Sequence, residues 1–221
     1  MTQTNLANAT LFDLKTGLSK EEKTKQRHLS DMTKMFYDTK ALQEEMEAGH
    51  DALVYEYYDL DLPKTDGDIQ YGTSIVYPGT VGDEYYMTKG HYHEVLETGE
   101  VYFCISGEGY LLMENPEGEW EIEKFVPGRA VHVPPRYAHR SINTGKEPLV
   151  TFFAFRADAG HDYGTIEAGG RVGYVRLTRQ NSWGAGERPG FRYTATFESP
   201  VTGKRRAAGI TLRSNEPIVL L

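Results

Sequence analysis

The chain reads as an all-β protein, a sandwich or barrel, preceded by one helix. Two observations carry that reading. Between residues 52 and about 156, short runs rich in Val, Ile, Tyr and Phe (ALVYEYYDL, YGTSIVY, EVYFCISG, AVHVPP, LVTFFAFRA) recur between Gly, Pro, Asn and Asp punctuation, the texture of many short strands joined by turns. No Gly-rich strand-to-helix turn marks a nucleotide-binding α/β fold, and no segment repeats at a fixed period. With 221 residues, 39% hydrophobic and 12% aromatic, the chain is long and apolar enough to bury a single core.

Residues 1–50 form an N-terminal arm and helix. The stretch 19–31 (SKEEKTKQRHLSD) is charged and reads as solvated, and 31–48 as one helix. Met32, Met35, Phe36, Leu42 and Met46 give that helix an apolar stripe, with Asp31 capping its start and Gly49 its end. Residues 51–175 contain the barrel. Residues 176–221 are an extension of undetermined role, with no compositional break strong enough to define a second domain.

Acids outnumber bases 32 to 24, and the net charge of −8 argues against a general nucleic-acid binder. One cysteine, Cys104, allows no intrachain disulfide and fits a reducing compartment. No run approaches the ~18–20 apolar residues of a membrane span. The N-terminus lacks the pattern of a secretory signal. The expectation is a cytoplasmic protein with no membrane partner.

The chemistry is concentrated in histidines. His91 and His93 flank Tyr92, and on a strand or strand end residues two apart share a face, so HYH presents two imidazoles together. Glu94, Glu97 and Glu100 are the nearby carboxylates. Glu100 is preferred because it opens the strand EVYFCI, whereas Glu94 and Glu97 fall in a turn, and a ligand needs rigid support. His139 follows the Pro134–Pro135 break. Imidazoles suit zinc, iron, nickel and copper, and adding a carboxylate shifts the balance toward iron or manganese. Tyr102 shares the Glu100 face and is expected on the cavity side, with Phe103 on the other. Cys104 and His132 read as structural, and His28 and His50 carry no role.

These pieces resemble the two signature motifs of the cupin superfamily. His91, His93, Glu100 and Gly107 match the first; Gly128, Pro134, His139 and Asn143 match the second, with Arg136 where the pattern has Gly. The longer strings TKGHYH, EVYFCISGEG, VPPRYAHRSIN and AGHDYGTI resemble the cupin-type glucose-6-phosphate isomerases of archaea and some bacteria. The resemblance runs over roughly 50–170 and implies a cupin double-stranded β-helix, a jelly-roll barrel with an N-terminal helix. It implies a homodimer that interconverts glucose 6-phosphate and fructose 6-phosphate. It also implies one divalent metal per subunit, Fe2+ first, with Mn2+, Zn2+ or Ni2+ as alternatives. The implied ligands are His91, His93, Glu100 and His139; the implied sugar-phosphate contacts are Tyr55, Thr73, Thr88, Lys89 and Gly90, and Tyr102 is expected beside them as a substrate contact from its place on the Glu100 face. His161 and Tyr163 match family residues near the sugar, and Phe155 stands where the family often has Tyr.

The residues suit that task on their own chemistry. A hydroxyl and backbone N–H groups beside the Gly bend of Thr88-Lys89-Gly90 make a nest for an anion, with Lys89 adding charge. A carboxylate such as Glu100 can move a proton between adjacent carbons through a cis-enediol, and a hydride shift is the other route. Alternatives of other classes are a different metal-dependent cupin enzyme (dioxygenase, decarboxylase or epimerase) and a non-enzymatic sugar-binding cupin, since one barrel hosts many chemistries.

Overall fold

The computed structural model describes residues 7–60, 62–169, 176–180, 191–198 and 205–212. The first strand, β1 (Lys25–His28), lies inside the stretch that the sequence analysis expects to be solvated. Its pairing residues, KQRH, lack apolar alternation because the face they turn inward meets a polar cavity rather than the core. A 3-10 turn (Leu29–Met32) follows, with Asp31 accepting a hydrogen bond from the His28 N–H at 2.9 Å.

The helix, α1 (Thr39–Glu47), is shorter than expected and starts at Asp38, whose carboxylate accepts the Ala41 N–H at 2.9 Å. Residues 33–38 instead form turns that seat Met35 and Phe36 fully in the core. The apolar spacing there reflects burial, not helical periodicity. Gly49 leaves the helix at φ 79°, the left-handed conformation glycine adopts freely.

The remaining strands are β2 (Leu53–Tyr57), β3 (Ile69–Val76), β4 (Thr80–Val81), β5 (Glu84–Tyr85), β6 (Glu100–Ser106), β7 (Gly109–Glu114), β8 (Trp120–Phe125), β9 (Ala130–Val133), β10 (Ala138–Asn143) and β11 (Leu149–Arg156). A six-stranded antiparallel sheet runs β1-β2-β3-β11-β6-β9, a three-stranded sheet runs β10-β7-β8, and β4-β5 is a hairpin. A short helix, α2 (Gly164–Gly169), precedes β12 (Arg176–Gln180), β13 (Phe191–Glu198) and β14 (Arg205–Leu212), which pair as a meander. The rest of the extension lies outside the described residues.

One core spans the two main sheets, joining Val54, Tyr102 and Leu149 of the larger to Leu111, Phe125 and Ile142. This is the two-layer jelly-roll arrangement. Asn143, the last residue of the second motif, is fully buried, and its side-chain amide donates across the layers to the Val76 carbonyl at 2.7 Å. Strand β6 alternates as expected: Glu100, Tyr102 and Cys104 face inward, while Val101 and Phe103 are 45% and 41% exposed on the outer face. Among the described residues no helix is long and apolar enough to cross a membrane.

Candidate functional site

Backbone register assembles the site. The segment carrying HYH runs antiparallel to β10: Thr88 N–H donates to Ser141 O at 2.9 Å, and His91 and His139 exchange backbone bonds at 3.4 and 3.2 Å. That pairing sets their rings 4.5 Å apart, centroid to centroid. From the other sheet, β6 delivers Glu100, whose Oε2 lies 2.9 Å from His139 Nε2 and 3.2 Å from His93 Nε2. Donor atoms of His91, His93 and Glu100 all lie within 4.8 Å of one another. Glu97, by contrast, is an exposed loop residue that faces Arg136 at 3.6 Å.

The donor set fits a divalent metal. His91 Nε2 is buried with no hydrogen-bond partner, a state that buried polar atoms rarely tolerate and that a metal ion relieves; His139 Nε2 has the Glu100 carboxylate beside it at 2.9 Å. The His93 ring is fixed from behind. The Thr98 hydroxyl spends its proton on the Val95 carbonyl at 2.7 Å, so His93 Nδ1–H is the donor to the Thr98 oxygens, at 3.0 and 2.8 Å. This fixes the ring with its Nε2 3.2 Å from Glu100 Oε2, the way a hydrogen bond to the far nitrogen orients metal-bound imidazoles.

Electrostatics agree. Burial pushes the Glu100 carboxyl up, but His139 and His93 outweigh it and hold the group at about 2, fully ionised. Burial, and then the neighbouring His139, His161 and His93, keep His91 well below the ordinary imidazole value, so the ring is neutral. Burial lowers His161 to about 4 despite the opposing pull of Glu100. Burial and then Glu100 raise the Tyr102 phenol, which stays protonated and can donate.

His91, Glu100, Tyr102, His139 and His161 border a cavity of about 290 Å³, near the small end of ligand sites. Of the expected contacts, Tyr55, Thr88, Gly90, Tyr102, His161 and Tyr163 are on its wall. Two are not. Thr73 faces the opposite side of β3, fully buried, with its hydroxyl on the Gly17 carbonyl at 2.5 Å; its neighbour Ser74 takes the cavity position. Lys89 does not line the cavity, and its carbonyl accepts from Arg140 Nη2 at 2.6 Å. Phe155 is on the wall, stacked on the His93 ring at 5.7 Å and edge-on to His161 at 5.0 Å.

Sequence reasoning missed Ser74, Tyr57 and Arg27, which also line the cavity. The signal was there for the last two: KQRH pairs with the alternating YEY of β2, placing Arg27 opposite Tyr55. Gly90 has φ 74°, and a Cβ there would lie 3.0 Å from the His139 carbonyl oxygen, so the loop and the metal-site strand approach at a distance only glycine permits.

Fold and site define a class: an antiparallel jelly roll that gathers three histidines and a glutamate beside a cavity. The model of the family Glucose-6-phosphate isomerase (GPI) matches residues 26–188. The glucose-6-phosphate isomerase of Thermococcus litoralis is 45% identical over 155 residues, covering 70% of this chain and 81% of its own. That of Pyrococcus abyssi is 45% identical over 154 residues, again covering 70% and 81%. The chain belongs to the glucose-6-phosphate isomerase family. Among solved structures, Lactobacillus farciminis oxalate decarboxylase superposes on 49% of this chain and 30% of its own at TM-score 0.40 and 19% identity, too slight a likeness to add to this.

Proposed function

We propose that this cavity interconverts glucose 6-phosphate and fructose 6-phosphate, with His91, His93, Glu100 and His139 holding one divalent ion. The observation that carries the reading is the buried, unsatisfied His91 Nε2 gathered with two further imidazoles and an ionised carboxylate, in a chain of this family. When bound, such an ion supplies a Lewis acid for the two vicinal oxygens of the sugar.

The protein's own groups do the rest. Thr88, Gly90, Tyr55 and Ser74 offer hydroxyl and backbone donors to the phosphate end. Tyr102, protonated, donates to a sugar oxygen. His161 and Tyr163 stack at 5.9 Å and flank His91, positioning the sugar chain. Glu100 is the base that takes the proton from one carbon and returns it to its neighbour through a cis-enediol.

Iron is the first choice of ion, on the mixed imidazole and carboxylate donor set. A homodimer is supported by the exposed Val101, Phe103 and Ile69 on the larger sheet, an apolar face of the kind that marks an interface. The buried free thiol of Cys104 is compatible with a cytoplasmic setting. The test is a coupled assay of fructose 6-phosphate turnover on wild type and Glu100→Gln. Turnover by wild type and a fall of about 10²- to 10⁴-fold in the variant are expected, the usual span for a positioned acid–base group; no turnover by metal-loaded wild type refutes the proposal.

A further inference from the structure

Strand β1 turns Lys25 and Arg27 to the same side, opposite Tyr57 and Tyr55 of β2, and both cations line the cavity. Their situations differ. Lys25 Nζ is 2.5 Å from the Asp59 carboxylate, so its charge is already answered. Arg27 has no carboxylate within 4 Å among the described residues. Its guanidinium donates to the Gln26 carbonyl at 2.9 Å and to the Tyr57 hydroxyl at 3.4 Å, and its central carbon lies 5.8 Å from the Tyr57 ring centroid. The acids on the cavity wall are also engaged, Asp59 by Lys25 and Glu100 by two histidines.

A half-buried guanidinium with no counter-ion among the described residues, held by an aromatic ring and two neutral oxygens, retains donors for an incoming anion. Its planar fork matches phosphate oxygens in pairs, which a lysine ammonium does not. Its charge also reaches the phosphate end of the site: burial raises the Tyr55 and Tyr163 phenols, and Arg27 is among the groups that pull them back. Lys89, the cation next to the Thr88–Gly90 bend in sequence, is not on the wall.

We propose that Arg27 is the cation that recognises the substrate's phosphate and makes the site select phosphorylated over neutral hexoses. This rests on the isomerase reading and assigns within it the residue that reads the substrate's charge. Arg27 is a binding residue and takes no part in the hydrogen transfer at carbons 1 and 2.

The experiment compares wild type, Arg27→Gln and Arg27→Lys in the coupled fructose 6-phosphate assay, with inorganic phosphate as competitive inhibitor. Arg27→Gln should raise KM about 10- to 100-fold, the span of a lost charged hydrogen bond, leave kcat within a few-fold, and lose phosphate inhibition; Arg27→Lys should restore part of both. A merely structural arginine would leave the KM and the phosphate inhibition constant unchanged, which overturns the assignment while wild-type turnover still upholds the isomerase reading. Should the variants not fold, wild-type protein answers the question: inorganic phosphate should slow phenylglyoxal labelling of Arg27, mapped by mass spectrometry, relative to chloride at equal ionic strength. Equal labelling in the two salts refutes the proposal.

Discussion

Glu100 shows how burial and charge compete at a single residue. Burial by itself would favour the neutral acid, yet two imidazoles at 2.9 and 3.2 Å keep it ionised. An anion there has the charge that the proposed ligand and base roles both need. If it moves the proton, turnover in deuterated water should place deuterium on carbon 1 or 2 of the product, read by NMR; full retention of the original hydrogen refutes proton transfer by Glu100 and leaves the hydride route. Arg136 is a second instructive residue. It stands where the cupin pattern has Gly, and its φ of 73° shows why: the backbone there is left-handed. Ion pairs to Glu117 at 2.6 Å and Glu97 at 3.6 Å tie the arginine down, though exposed pairs contribute little. Arg136→Ala keeps the strain and loses the pairs, whereas Arg136→Gly sheds the strain, so the Gly variant should be more stable by about 1 kcal/mol, measured by chemical denaturation. At this scale the histidines were legible because HxH spacing and the His–Asn spacing survive in any register. Thr73 was not, because a one-residue slip along a strand exchanges the cavity face for the other.

The strands were readable from their own composition, since turns punctuate them and β6 alternates cleanly. The elements that depend on distant partners were not. Strand β1 has no apolar pattern and is a strand because β2 pairs with it; the helix loses its first turns because Met35 and Phe36 belong to the core. The Thr88–Gly90 bend likewise owes its shape to β10, which passes beneath it. Gly90→Ala adds a Cβ 3.0 Å from the His139 carbonyl at a left-handed residue. The expected result is a loss of about 1–2 kcal/mol in stability and a KM for fructose 6-phosphate raised about tenfold or more, as the bend moves away from the place proposed for the phosphate. An unchanged KM would remove the bend from the substrate site.

At the scale of the whole molecule, the chemistry depends on two sheets closing on each other. His91, His93 and His139 ride on one layer and Glu100 on the other, so the donor set exists only when the layers are packed. The family match across residues 26–188 covers the four site residues and Arg27 of β1. The most direct measurement is therefore the rate of fructose 6-phosphate turnover after the ion is stripped with a chelator and then restored. Turnover should vanish in the stripped, still-folded protein and return on adding Fe2+ or another divalent ion, with about one ion bound per chain. Undiminished turnover by metal-free protein would contradict the account at its centre.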